Sequence, residues 1–323
     1  MTLMPDEIER ALSSWSETTG GVARLINHSE NQTFLVQTPA QKQFVLRVHR
    51  PQYQSVQAIG SEIAWLEVIS QDTSLKVPRL VKGRDGAMLQ SFATSAGERL
   101  AVLFHFIPGR EPLISENLED VFAALGRYAA TLHQHVIGWQ RPPSFGRPAW
   151  SAAAILAPSG LWGNWREAPG VGESEREELE RLATMLEQEL DAYGTAADRY
   201  GLIHADMRLG NLLVGQGPLA LLDFDDCGFC WFAYDFAAAI SFHETHPSVP
   251  ALKRAWLDAY RSVRPFPAED EAMLDTLVML RRMALLAWIG SHGETNLARE
   301  HAPGFVDGTV DLARRYLRGG IWR

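Results

Sequence analysis

The sequence predicts an α+β fold in two parts, and three observations carry that prediction. Residues 1–107 hold several short apolar runs of strand character and one long helical stretch. An apolar run at 100–107 breaks at Pro108-Gly109, which marks the end of the first part. From 108 to 323 helical periodicity dominates, interrupted by one hairpin pattern at 202–226.

In the first part, residues 5–15 read as a short amphipathic helix, and Gly20-Gly21 opens a strand at 22–26. The polar stretch 27–31 separates it from a strand at 32–37, which turns through Thr38-Pro39 into a third strand at 44–49. Period-2 alternation puts Phe44, Leu46 and Val48 on one face of that strand and Val45, Arg47 and His49 on the other. Residues 56–70 form a helix, with Val56, Ile59, Ile63, Leu66 and Ile69 as its apolar stripe and Glu62 at the stripe's border. Further strands are expected around 80–81, at 87–92 and at 100–107.

In the second part, Val121, Leu125, Tyr128 and Leu132 mark a helix that runs to about residue 136. His133 and His135, at its end, are expected to be solvated. The Pro/Trp/Gly-rich stretch 139–170 has little periodicity and is expected to be a long surface excursion. Leu179, Leu182, Leu186 and Leu190 set a helix at 173–193, for which Ser174 and Glu177 suggest a capping box. Helices are expected at 250–263, 268–292 and 304–318. Arg281, Arg282, Trp288 and His292 could line an acceptor site, and nothing in the sequence ranks them. No internal repeat or low-complexity segment is present.

Composition narrows the function classes. The 323 residues are 46% hydrophobic and 21% charged, as in ordinary globular proteins. A net charge of −9 argues against a nucleic-acid binder. No stretch approaches the ~20 apolar residues of a membrane span, and the acidic start has no signal-peptide core. Two cysteines suit a reducing compartment, so a cytoplasmic location is expected. Their C-x-x-C spacing, at Cys227 and Cys230, lacks the partners of a zinc site; His243 and His246 are weak candidates.

The chemistry concentrates in LIHADMRLGNLLVGQGPLALLDFDD, residues 202–226. Pairing the two apolar runs across the Gly/Pro turn is expected to bring Asn211 beside Asp223, with Asp206 on the loop that enters the hairpin. Two carboxylates and a carboxamide suit a hard divalent cation such as Mg²⁺, whose remaining ligands are water and phosphate oxygens. Downstream, Asp235 interrupts an apolar stretch, so its carboxylate should be hydrogen-bonded.

HADMRLGN, LLDFDD and YDFA together resemble the catalytic segment of the protein-kinase-like superfamily. The likeness is to its aminoglycoside phosphotransferase, choline kinase and homoserine kinase group, which also includes bacterial stress-response kinases. The resemblance implies a two-lobed fold: a small sheet lobe with one main helix (1–107) that binds nucleotide, and a larger, mainly helical lobe (108–323). It makes Asp206 the catalytic base, Asn211 and Asp223 the Mg²⁺ ligands, and Arg208 a γ-phosphate contact. His204 would order the loop and Asp235 would support it from beneath. Asp225 and Asp226 are less certain, as contacts to a second metal or to the acceptor.

In the first lobe the resemblance makes Arg47 the cation on the α- and β-phosphates, where the family usually has Lys, and Glu62 its brace, with Glu67 a weaker candidate. Ser29 and Asn31 fall in the phosphate-covering loop, which here lacks G-x-G-x-x-G. Val45, His105 and Ile107 are expected around the adenine. The implied cofactors are ATP and Mg²⁺, and the implied reaction is transfer of the γ-phosphate to a hydroxyl of a small molecule. No nucleic-acid or membrane partner is expected, and the protein should be a monomer or homodimer. Two alternatives stand beside this reading: a protein Ser/Thr kinase of the stress-response type, and a nucleotide-binding scaffold without catalysis.

Overall fold

A computed structural model describes residues 3–28 and 31–322. The chain divides into two compact units, the first formed by residues 1–109, 141–147 and 220–225, the second by 110–140, 148–219 and 226–323.

The first unit begins with α1 (Pro5–Leu12), followed by β1 (Val22–His28), β2 (Gln32–Gln37), β3 (Gln43–Val48), α2 (Val56–Asp72), β4 (Gln90–Thr94) and β5 (Gly97–His105). The strands make one sheet in the order β1-β2-β3-β5-β4, every neighbour pair antiparallel. The alternation read for the third strand decides which side of the sheet is core. Phe44, Leu46 and Val48 join Phe34, Val36, Leu103, Leu12 and Trp15 in one buried cluster. Trp15 also donates its indole N–H to the Val81 carbonyl at 3.0 Å, tying the segment after α1 to the sheet.

The other face of β3 is where α2 contributes. Ser55 caps this helix by accepting from the Ala58 N–H at 3.1 Å, and the helix buries Ile59, Glu62, Ile63, Trp65, Leu66 and Ile69. Some expected boundaries shift. The first helix ends at Leu12 rather than 15, and the strand expected at 87–92 runs from Gln90 to Thr94. Residues 80–81 form only an isolated bridge, Leu80 with Phe104.

The second unit contains α3 (Glu119–Gly138), α4 (Ala152–Leu156), α5 (Glu173–Tyr193), β6 (Tyr200–Ile203) and β7 (Leu212–Leu213). The short strand β8 (Ala220–Leu221), beyond the Gly/Pro turn, belongs to the first unit. The second unit resumes with β9 (Gly228–Trp231), α6 (Tyr234–Ala239), α7 (Val249–Arg261), α8 (Ala268–Ala272), α9 (Leu274–Ser291), α10 (Asn296–His301) and α11 (Phe305–Leu317). β6 and β9 pair antiparallel, with Tyr200 opposite Trp231 and Ile203 opposite Gly228, which sets the start of the loop that carries Asp206 beside the start of β9. α3 packs on α7 at close range: a Cβ at Gly126 would lie 2.2 Å from the Trp256 carbonyl, so only glycine fits there.

Four expectations for this unit are corrected. The helix expected at 268–292 is two, α8 and α9, broken at Met273. No box of Ser174 and Glu177 starts α5; its N-cap is Gly172, whose N–H is accepted by the Glu175 carboxylate at 3.1 Å. The 139–170 stretch is no surface excursion throughout, since Trp150, Ile155, Leu156, Trp162 and Trp165 are buried. Aperiodic sequence hid this because the burial comes from single large side chains rather than from a repeating face. His133 is likewise buried, not solvated. Among the described residues no helix is long and apolar enough to cross a membrane.

Candidate active site

Each unit holds one cluster of the residues singled out by sequence. In the first unit, Arg47 lies on a central strand, flanked in register by Thr33 and Val102. Its Nη2 donates to both Glu62 carboxylate oxygens at 2.7 Å, and both side chains are buried. Its Nη1 lies 3.4 Å from Asp223 Oδ1, and the guanidinium sits 5.3 Å from the Phe104 ring centre. Burial works against both charges: it pulls Arg47 down and pushes Glu62 up. The carboxylates of Glu62, Asp225 and Asp223 outweigh it at Arg47, whereas at Glu62 burial outweighs the pull of Arg47 and its two short hydrogen bonds.

Asp223 differs from its surroundings. Its side chain is 49% exposed and its backbone is left-handed at φ 57°, a conformation that a non-glycine residue keeps only when its surroundings enforce it. Asp225, two residues on, is buried instead. Its Oδ2 accepts from Asn31 Nδ2 at 2.8 Å, and its backbone carbonyl accepts from Gln54 Nε2 at 2.7 Å and from Arg147 Nη2. Burial alone would raise the Asp225 carboxyl, but Arg47, His49 and Arg147 bring it below the usual range. Asn31 is therefore engaged with Asp225, its Oδ1 also accepting the Arg50 N–H at 3.2 Å. Sequence reasoning missed Gln54 and Arg147; the latter comes from the aperiodic stretch and carried no local signal.

Of the residues expected around the adenine, Val45 pairs in register with Phe104, and Phe44 with His105. Val45 and Ile107 are half-buried and His105 is exposed. The His105 N–H donates to the Arg79 carbonyl at 2.9 Å. Ser29 lies outside the described residues.

The second unit holds the loop between β6 and β7. Asp206 is nearly buried, and both its oxygens are engaged. Oδ2 accepts from Asn211 Nδ2 at 2.6 Å and from Arg208 Nε at 3.2 Å; Oδ1 accepts from Arg281 Nη2 at 2.5 Å. Burial by itself would raise this carboxyl, yet Arg208 and Arg281 overcome it and hold Asp206 below the usual carboxylate range. The Asn211 amide also donates to the Asp206 carbonyl at 2.9 Å, which turns its Oδ1 away from that loop. The Asp206 N–H donates to His204 Nδ1 at 3.2 Å, so the buried His204 presents that nitrogen unprotonated.

Beneath the loop, Asp235 is fully buried on α6. Its Oδ1 accepts the Ala205 N–H at 2.8 Å, and its Oδ2 accepts the His204 N–H at 3.4 Å and meets His133 Nε2 at 2.9 Å. Burial pushes the His133 imidazole down, so a neutral ring donates from Nε2 to Asp235. The Tyr260 hydroxyl then completes the ring at Nδ1, 2.9 Å away. Trp288 and His292, expected as acceptor-lining candidates, are buried and stacked on one another in and just after α9. Arg282 is buried in an ion pair with Glu244. Cys227 and Cys230 are free and buried.

Among the described residues no cluster of three His, Cys, Asp or Glu side chains could hold a metal by itself. The Asn211 carboxamide of the second unit and the half-exposed Asp223 carboxylate of the first are each hard oxygen donors of the type that a divalent cation takes.

Comparison with known proteins gives the same direction. The chain is 41% identical to a microcompartment-associated aminopropanol kinase, with a TM-score of 0.89 over 98% of each chain. An amicoumacin kinase solved with AMP-PNP, Ca²⁺ and Ami shares the fold at 20% identity, with a TM-score of 0.77 over 97% of this chain and 93% of that one. Amicoumacin kinase of Bacillus subtilis (strain 168) is 24% identical over 209 residues, 64% of this chain and 59% of that protein. Residues 22–269 match the phosphotransferase enzyme family (APH). The chain belongs to that family.

Proposed function

We propose that this phosphotransferase moves the γ-phosphate of ATP, bound with Mg²⁺, to the hydroxyl of a short amino alcohol. The observation that carries the acceptor class is the full-length likeness, at 41% identity, to an aminopropanol kinase. The chemistry is supported by the Asp206 carboxylate, ionised and fixed by hydrogen bonds on both oxygens.

Asp206 accepts a hydrogen bond from the acceptor hydroxyl and aims its oxygen at the γ-phosphorus. As that oxygen bonds to phosphorus, the bond from phosphorus to the ADP oxygen breaks, and the hydroxyl proton passes late to Asp206. A divalent cation supplies charge neutralisation on the phosphates, and Asn211 and Asp223 are its proposed ligands, a role supported by their motif positions. Arg47, held by Glu62, grips the α- and β-phosphates. Arg208, with a partly exposed side chain, meets the γ-phosphate while holding Asp206. The two reduced cysteines suit the cytoplasm.

ADP release with Mg·ATP and a panel of aminopropanol, ethanolamine, choline, homoserine and an aminoglycoside tests the proposal. The expected result is the highest kcat/KM for aminopropanol or ethanolamine. A clear preference for homoserine or the aminoglycoside would remove the amino-alcohol reading.

A further inference from the structure

Ala205 sits immediately before the proposed base with φ 68°, a left-handed backbone that costs energy for any residue with a side chain. Two buried charges of opposite sign pin its two ends. Asp235 takes its N–H at 2.8 Å, and Arg281 Nη1 donates to its carbonyl at 3.3 Å. The same guanidinium donates from Nη2 to Asp206 Oδ1 at 2.5 Å and from Nε to the Ser241 hydroxyl at 3.0 Å. The Trp162 ring lies 5.0 Å away and the Tyr234 ring 5.9 Å. Arg281 thus has all three nitrogens committed, on a side chain that is 2% exposed, from the middle of the long helix α9.

We infer that Arg281 is the positioning residue of the proposed base: it fixes the Asp206 carboxylate and the strained peptide before it in one orientation. The planar fork suits this task. One guanidinium reaches a carbonyl and the neighbouring carboxylate together, which a Lys ammonium cannot match in geometry. Asn211 and Arg208 hold the opposite carboxylate oxygen, so Arg281 decides where Oδ1 points. It is too buried to meet the acceptor or the nucleotide itself. Its effect on turnover passes through Asp206.

The inference rests on Asp206 being the base, and the test separates the two claims. Arg281→Met, similar in length and uncharged, and Arg281→Lys are compared with wild type in the full chain, using Mg·ATP and aminopropanol. Arg281→Met is expected to lose roughly tenfold or more in kcat while its KM for ATP stays within about twofold. Arg281→Lys should recover part of the loss. In an Asp206→Asn background, Arg281→Met should cost less than about twofold more, because residues acting as one unit are not additive. Should Arg281→Met not fold, Arg281→Lys and the same double-variant comparison carry the test. Equal kcat losses from the Arg281 change in both backgrounds would overturn the inference, because Arg281 would then act without Asp206. Near-wild-type kcat in Arg281→Met would overturn it as well. Near-wild-type kcat in Asp206→Asn would instead show that the base assignment is wrong, and the inference falls with it.

Discussion

Arg47 Nη2 donates to both oxygens of Glu62 at 2.7 Å, from near the C-terminal end of β3 to a buried position on α2. Removing the guanidinium leaves a carboxylate in a site that already pushes its pKa up, so Arg47→Ala should cost about 3–5 kcal/mol of stability. If Arg47 grips phosphates, the same variant should weaken ATP far more than adenosine. Calorimetric titration of both ligands checks this, and equal losses would make Arg47 purely structural.

Asp206→Asn keeps the shape of the side chain and removes its basicity. Turnover should fall by ~10²–10⁴, the usual worth of general-base assistance, with ATP affinity nearly unchanged. The informative comparison is kcat beside the ATP dissociation constant in the same preparation. Parallel losses in both would reassign Asp206 as a metal ligand.

Asp235→Asn places an NH₂ where His133 Nε2 now donates, unless the amide turns and loses the Ala205 N–H. Either outcome leaves a buried donor without an acceptor, at about 1–3 kcal/mol. Loosening the loop should also reduce kcat, by up to about 10²-fold, without contact to substrate. Denaturant unfolding and steady-state kinetics measure the two effects; a variant with wild-type stability would contradict the hydrogen-bond reading.

Asp223 is half-exposed, so its removal should spare the fold. Asp223→Ala should abolish the rise in melting temperature that Mg·ATP gives the wild type while leaving the ligand-free value nearly unchanged. Chelation of divalent cations should do the same to the wild-type protein. An undiminished Mg·ATP shift in the variant would rule out Asp223 as a ligand.

Glu7 offers a pH test remote from catalysis. Its carboxylate accepts the N–H groups of Met4 at 2.9 Å and Ser95 at 2.7 Å, and the Ser95 hydroxyl at 2.8 Å, which lowers its pKa from 4.5 to about 2. A depressed folded-state value means that the stabilisation is complete above pH 4.5 and fades as pH falls toward 2. Glu7→Gln should therefore be less stable than wild type at pH 7, and the gap should narrow below pH 4.5. A gap independent of pH would show that the charge of Glu7 is not what matters.

Local pattern carried much of the fold. The alternation in 44–49 assigned each β3 side chain to a face, because a strand's period is a property of the backbone alone. Asp235 could be read as a carboxylate needing partners, since it stands in a run of apolar residues and burial of a bare charge is costly. The order and spacing of Asp206, Asn211 and Asp223 were likewise visible, because they lie within one short stretch.

The partners of these residues were decided by tertiary structure. His133 lies 102 residues from Asp235, Arg281 is 75 residues from Asp206, and Arg147 is 78 residues from Asp225. Nothing local distinguishes Arg281 from Arg282 beside it, yet one turns to Asp206 and the other to Glu244. Which neighbour each meets depends on how α9 packs, and a helix rotates adjacent positions by about 100°. The same holds for Trp165, which becomes core because α9 packs against its turn, and for Trp150 and Trp162, whose rings meet edge to face at 4.7 Å. The sequence by itself determined which chemical groups the loop carries, since those are covalently adjacent. Packing between distant elements decided how those groups are held, because orientation is set by contacts that no local pattern encodes.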